Sequence, residues 1–507
     1  MSGPLVIVGG GSTGCLIASR ASESGRLGVL LLEAGRDYGP SAALPGDLQD
    51  GGRNSMVRHD WGYRHHPTTQ QIRFPFPRGR VLGGSSAVNT CIALRGQPED
   101  FDEWAALGLL EWSWERCLPA FRAFERDLDF DDDWHGRDGE LPMRRHPPEE
   151  WVAWQAAFVE ACRALGFPAC DDSNRPGSHG VGPHTMNKVD GRRVSAAEAF
   201  LSERVRARES LTIRSETRVR RVILRDRRVV GVEVEGSGGL ERIETDRVLL
   251  TAGAIATPGI LLRSGLGPRD DVTRIGVDPV VNLPGVGRRL LDHPGFAIFL
   301  RPRFFGPTSR RDPLIQTVLR YPSAGSGHTC DMLLQPGSKV NLPRVDLPLV
   351  SLMAALGKPR GHGVLRFESA DLRARPRIES RLLEDEDDRA RAVDAMHLAR
   401  RLAQQPPLRK LASHLLPRAA VLDDRSRTDA WIRKACDSGY HPCGTAPMGP
   451  DGDPNAVTDQ RGRVRGVEGL HIGDASLMPT IPSANIHLAT LMIGQRIGEW
   501  WRDGGLE

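Results

Sequence analysis

The chain has 507 residues, 39% of them hydrophobic and 26% charged, a length that suggests two to four domains at about 150 residues each. Its 68 Lys+Arg against 64 Asp+Glu leave a formal charge of +4, which speaks against a dedicated nucleic-acid binder with a concentrated basic surplus. No run approaches the roughly 18 to 20 apolar residues of a membrane-spanning helix, and the opening Pro4–Val8 run is too short for the apolar core of a secretory signal. The 8 cysteines form no C-x-x-C pair and there is no HExxH, so free thiols in a reducing cytoplasm are expected, without a metal. The cations are almost all arginine, scattered and matched by acids, which reads as a genome-composition bias rather than a binding signal.

Leu5 to Val8 is predicted as a short buried parallel strand. The glycine turn Gly9–Gly14 follows, then a helix from Cys15 to about Glu23, and a second buried strand, Val29 to Leu32, ending at Glu33. Residues 37 to 110 are rich in Gly, Pro and Arg with few clear elements, and a section this long inside a compact domain is expected to wrap around something. Residues 151–168 and 190–208 are predicted as helices. Strands are predicted at Leu211–Ile213, Val219–Leu224, Val229–Val234 and Glu241–Thr245, then a buried strand to Thr251. A short helix, Thr257 to Arg263, is opened by Thr257-Pro258 and stopped at Ser264-Gly265. From about 296 to 430 come Pro-interrupted strands and a helix over 384–405. The tail from Tyr440 adds a glycine-rich loop, the strand Leu470–Ile472 and a last helix from about Asn485 to Trp501, with Ser483 near its cap.

Gly9, Gly11 and Gly14 form G-x-G-x-x-G between a strand and a helix, and Glu33 stands at the end of the next strand. This is the dinucleotide-binding arrangement: glycines let the backbone approach a pyrophosphate, the helix N-terminus donates N–H groups, and the acid accepts from a ribose diol. The same segment also satisfies G-x-S-x-G, the nucleophile elbow of serine hydrolases. An elbow serine normally follows several strands rather than the first, and Glu33 would have no role there, so the hydrolase is the lesser alternative.

The fingerprint does not separate NAD from FAD; other segments do. Arg78-Gly79-Arg80-Val81-Leu82-Gly83-Gly84-Ser85-Ser86-Ala87-Val88-Asn89 resembles a signature of the glucose–methanol–choline (GMC) family of flavin-dependent alcohol oxidoreductases. The segment from Gly253 to Pro268 is similar to the family's second signature, and Asn282-Leu283-Pro284-Gly285-Val286-Gly287 with Asp292-His293-Pro294 to its next. His441-Pro442-Cys443-Gly444-Thr445, Met448-Gly449 and Gly473–Pro479 complete the order. The coverage is weakest over 300–435.

The resemblance implies an α/β protein of two domains. A Rossmann-like FAD-binding domain would be assembled from 1–150, 205–295 and 440–507. The substrate-binding domain, built on an antiparallel sheet covered by helices, would take 151–204 and 296–439. FAD would be bound by Gly9, Gly11, Ser12, Thr13, Gly14, Glu33 and Ala34 at one end. Val81, Gly84, Asn89, Ile92, Val219, Asp474, Ala475 and Ile486 would hold the rest, with Val219 meeting the adenine through its backbone. His441 matches the family's base and Asn485 the position of its second His or Asn; an amide can fix the alcohol but cannot exchange the proton, which leaves acid/base work to His441. The N-terminus of the last helix would add partial positive charge beside the flavin. His487 falls two residues off the catalytic position, and His65, His66, His293, His328 and His362 are assigned structural or surface roles. Some choline-oxidising members link FAD covalently through a histidine whose slot is Val88 here, so FAD should be non-covalent. The expected activity is oxidation of a primary or secondary alcohol to an aldehyde or ketone, with oxygen, a quinone or another redox carrier as electron acceptor. A hydroxynitrile-lyase-type member without net redox chemistry is the alternative.

Overall fold

The computed structural model describes residues 3–40, 43–303, 309, 312–341 and 346–506. The chain folds as two α/β domains, each organised around one large sheet. In the first, five parallel strands run in the order Leu211–Arg214, Val29–Leu32, Leu5–Val8, Val248–Leu250, Leu470–Ile472. The strands Leu5–Val8, Val248–Leu250 and Leu470–Ile472 are buried throughout, which is why they read as unbroken apolar runs rather than alternating ones. Helices Ser12–Ala21 and Ile486–Arg502 pack on one another, and Gly494 permits the approach: a Cβ there would sit 3.1 Å from Thr13 Cγ2. A three-stranded antiparallel sheet, Arg218–Arg225, Arg228–Gly236 and Gly239–Glu244, lies alongside.

The second sheet is antiparallel, in the order Ala412–Leu416, Pro294–Pro302, Val350–Leu356, Met332–Gly337, Thr317–Tyr321, Gly180–Pro183, with Asp437–Ser438 pairing at the start of Pro294–Pro302. Alternation divides its faces. Phe296, Ile298, Leu300, Leu352 and Ala354 are buried in the core shared with helices Ala153–Ala164 and Glu386–Ala403. Gly295, Ala297, Phe299, Ser351, Met353 and Ala355 fall on the other face and line a cavity. A smaller sheet joins Tyr63–His66 and Phe74–Phe76 to Val364–Arg366 and Arg377–Glu379. Among the described residues no helix is long and apolar enough to cross a membrane. All 8 cysteines are free and buried.

Several element boundaries differ from the sequence reading. The first helix begins at Ser12, inside the glycine turn, and ends at Ala21. Residues 190–208 are not one helix: Asp190 and Gly191 take positive φ and turn a hairpin between Lys188–Val189 and Arg192–Arg193. Two short helices then start on their own caps, Ser195 with Glu198, and Ser202. The helix expected from Thr257 begins at Gly253, with Pro258 in its interior. Proline removes the N–H that would bond Ala254 O, and the Thr445 hydroxyl fills that vacancy at 2.6 Å.

Candidate active site

A cavity of about 690 Å³ runs from the glycine turn to the exposed face of the antiparallel sheet. At its nucleotide end Gly9 takes φ +107°, and a Cβ there would strike Thr251 O at 2.7 Å, so the turn requires glycine. Gly11 precedes the helix Ser12–Ala21, which no side chain caps. The N–H groups at Ser12 and Thr13 therefore face the cavity as anion donors. A Cβ on Gly11 would meet nothing nearer than Thr251 O at 3.9 Å, whereas one on Gly14 would lie 1.9 Å from Gly9 O. Gly14 is accordingly off the cavity wall; its part is close helix–strand packing.

Glu33 and Ala34 line the same end. The Glu33 carboxylate accepts the N–H of Gly10 at 2.8 Å and of Gly35 at 2.6 Å. Burial pushes its pKa up to about 7 against those two donors. Gly84, Asn89 and Ile92 are on the wall, and Gly84 backs directly onto the turn, since a Cβ there would lie 2.8 Å from Gly11 Cα. Val81 is not on this wall. It lines a separate cavity of about 280 Å³, packs with Leu48, Ala87 and Val88, and forms an isolated parallel bridge with Arg36. Val219 reaches the wall beside a register shift in its strand, between Val219 and Arg221. Asp474 and Ala475 line the middle. One Asp474 oxygen accepts Gly253 N–H at 2.8 Å and the Thr257 hydroxyl at 2.7 Å, and the other accepts Ser476 N–H at 2.8 Å; burial still raises its pKa.

His441 and Asn485 stand at the far end, brought together by folding: Asn485 Nδ2 is 3.0 Å from His441 Nε2. Tyr440, just before the histidine, takes φ +63°. That uncommon conformation is held by its N–H on the Ser438 hydroxyl at 2.7 Å and its carbonyl on Arg78 Nη1 at 2.9 Å. Asp292 Oδ1 accepts the backbone N–H of His441 at 2.9 Å and of His293 at 2.8 Å, and Oδ2 accepts the Ser438 hydroxyl. Burial, with His293 and Arg78 beside it, holds the His441 pKa well below its ordinary value, so the ring is neutral at physiological pH.

His293, given a structural or surface role from the sequence, is brought by the fold against the His441 ring. Its ring stands edge-on to that of His441, centroids 5.0 Å apart, with the two Nδ1 atoms 2.9 Å apart. The signal in the sequence is Asp292-His293-Pro294, which closes the motif begun at Asn282, but only the fold shows which ring His293 touches. Ser483 does not cap the last helix. Asp100 takes both its N–H at 2.9 Å and its hydroxyl at 2.7 Å, pinning the loop ahead of Asn485. Asn485 is the helix N-cap without a side-chain cap bond, and Ile486 and His487 follow it along the cavity wall. The helix N-terminus thus presents partial positive charge there.

Glu125, Asp127 and His135, all buried, lie within metal-ligand reach of one another among the described residues. Their carboxylates are engaged by cations instead, Glu125 by Arg95 and Asp127 by Arg145 at 2.9 Å, which makes the group an ion-pair network.

Two buried atoms of residues at the cavity's far end, Asn485 Oδ1 and His487 Nε2, have no hydrogen-bond partner, and uncapped helix N–H groups face its near end. A cavity charged and shaped in that order fits a dinucleotide with its diphosphate on the glycine turn and its redox ring beside His441, the architecture of a flavin-dependent oxidoreductase. The chain belongs to the GMC oxidoreductase family, whose N-terminal region matches residues 5–295 and whose C-terminal region matches residues 359–494. It is a bacterial-type FAD flavoprotein acting on CH–OH donors. It is similar to a 5-(hydroxymethyl)furfural oxidase of a Methylovorus species, 33% identical over 97% of both chains. It is also similar to an oxygen-dependent choline dehydrogenase of Photobacterium profundum, 30% identical over 97% of this chain and 92% of that one. Among solved structures, pyridoxine 4-oxidase from Mesorbium loti superposes with a TM-score of 0.91 at 31% identity, over 99% of each chain.

Proposed function

We propose that the protein oxidises a primary alcohol carried on a small uncharged ring to the aldehyde, with His441 as the base. The observation that carries this reading is the His441–Asn485 pair, 3.0 Å apart on the cavity wall with Asn485 Oδ1 unpartnered. His441 takes the hydroxyl proton; Asn485 holds the alcohol oxygen through its amide. Bound FAD supplies the acceptor for the hydride that leaves the carbinol carbon. Loss of one proton and one hydride balances the conversion of CH–OH to C=O.

The cavity supports the substrate class. The sheet face next to His293 is floored by Gly295, Ala297 and Ala355, leaving a flat slot, and Gln335 and Ser351 stand further along. The aromatic ring on the wall next to the base, Tyr440, has a guanidinium over it, with Arg78 6.0 Å from its ring centre, whereas Trp61, with Arg80 and Arg218 over it, stands at the nucleotide end. The Arg78 guanidinium beside Tyr440 disfavours a quaternary ammonium substrate there. Val88 on the wall has no atom that could bond to the flavin, so FAD is held non-covalently and acid precipitation releases it.

The test is anaerobic mixing of the yellow protein with aromatic, aliphatic and quaternary-ammonium alcohols, followed at the flavin absorption band. Bleaching by ring-bearing alcohols supports the reading. An unchanged band throughout the panel, as a lyase would give, overturns it. Reoxidation of the bleached enzyme by oxygen or by a quinone then assigns the acceptor.

A further inference from the structure

We propose that His293 is a positioning residue that fixes the tautomer of His441, so that the Nε2 lone pair of His441 is the one presented to substrate. The inference rests on the reading of His441 as the base and goes beyond it by naming the atom and what sets it. His293 Nε2 lies 2.9 Å from Gly357 O and 3.0 Å from Pro482 O. Carbonyl oxygens only accept, so the His293 proton is on Nε2. A neutral His293 then has a bare Nδ1, which accepts from His441 Nδ1 across 2.9 Å. With its proton on Nδ1, His441 keeps Nε2 unprotonated, facing the Asn485 amide N–H at 3.0 Å. Which nitrogen of a histidine carries the proton is set by the hydrogen bond the other one makes.

The surroundings keep His293 neutral. Burial holds its pKa down to about 4, against the pull of the Pro482 and Gly357 carbonyls. Of the charged groups near it, Asp100 favours protonation and Lys358 opposes it. Arg78 and His293 act on His441 in the same discouraging sense. Asp292 is occupied by two backbone N–H groups and the Ser438 hydroxyl. Gly357 directly follows the strand Val350–Leu356 of the antiparallel sheet and Pro482 lies in the loop to Asn485, so His293 also ties both to the base.

The experiment is a two-bond ¹H–¹⁵N correlation on ¹⁵N-histidine-labelled holoenzyme, with the His441 signals assigned by their loss in His441→Gln. The expected spectrum shows His441 protonated at Nδ1 only. His293→Gln can keep an N–H at the Nε2 position for the two carbonyls, but with its amide engaged there it places no acceptor at the Nδ1 position facing His441. It is expected to lose that signature and to slow flavin reduction roughly 10- to 100-fold, a part of the 10²–10⁴ that a positioned base contributes, with FAD content and KM unchanged. His293→Asn, which restores an acceptor oxygen near the Nδ1 position, is expected to recover both in part. A wild-type His441 protonated at Nε2, or a His293→Gln variant with the wild-type signature and rate, overturns the proposal. Should the Gln variant not fold, the wild-type spectrum alone decides. If the spectrum is as expected but His441→Gln reduces flavin at full rate, the base assignment fails and the tautomer assignment stands.

Discussion

Two glycines three residues apart should fail in opposite ways. Gly11 has φ −79° and ψ −160°, which any residue adopts, and its missing Cβ faces open cavity. Gly11→Val therefore leaves the apoprotein folded, at a cost of about 1 kcal/mol for a poorer N-cap. It places methyl groups where a diphosphate must approach the N–H groups of Ser12 and Thr13. Hydrogen bonds to a charged group contribute about 1.5–3 kcal/mol each, so displacing two costs about 3–6 kcal/mol, or roughly 10²- to 10⁴-fold in Kd. Gly14→Ala instead drives a Cβ to 1.9 Å from Gly9 O and 2.9 Å from Thr251 Oγ1. That overpacks the helix–strand contact by about 1–3 kcal/mol. The assay is flavin absorbance per protein after desalting from excess FAD, paired with thermal unfolding of FAD-free protein. The expected result is near-normal apoprotein melting and lost flavin for Gly11→Val, and lowered apoprotein melting for Gly14→Ala. A Gly11→Val protein that retains FAD as the wild type does would refute the placement of the diphosphate on this turn.

Two more outcomes concern stability. His471 is buried with neither ring nitrogen partnered, and burial lowers its pKa to about 3. Below about pH 6.5 the unfolded chain takes a proton that the folded chain refuses, so stability present at neutral pH is lost as pH falls, by about 2 kcal/mol between pH 7 and pH 5. His471→Leu should flatten that part of the acid limb in melting temperature against pH; an unchanged limb contradicts the assignment. Arg95→Met strands the Glu125 carboxylate, whose partner is this buried guanidinium, and should destabilise by about 3–5 kcal/mol. Arg95→Met with Glu125→Leu should recover most of the loss in chemical denaturation, and a double variant no better than the single one contradicts it.

What was legible in the sequence was local. The turn Gly9–Gly14 is fixed by backbone space within a few residues, and the unbroken apolar strands follow from burial on both faces, so both could be read directly. Glu33 could be placed because the strand before it ends where its hydrophobic run ends. Resemblance then supplied His441 and Asn485, which lie 44 residues apart and meet only in the fold. Relations between distant segments were not legible. The helix at Gly253 starts ahead of its proline because a hydroxyl 191 residues away satisfies the freed carbonyl. Ser483 has a cap's chemistry but is claimed by Asp100, 383 residues earlier. His293 reads as an ordinary buried histidine until His441, 148 residues later, is folded against it. Val81 was placed by motif position, whereas the neighbours it packs with, Leu48 above all, come from outside the motif.

The most direct measurement is the rate of anaerobic flavin reduction in His441→Ala and in the wild type, using whichever alcohol bleaches the wild type and enzyme matched for FAD content. The account expects a fall of about 10²-fold or more, since the proton then has no positioned acceptor, with the flavin spectrum intact before mixing. A His441→Ala protein that bleaches within a few-fold of the wild-type rate would contradict it.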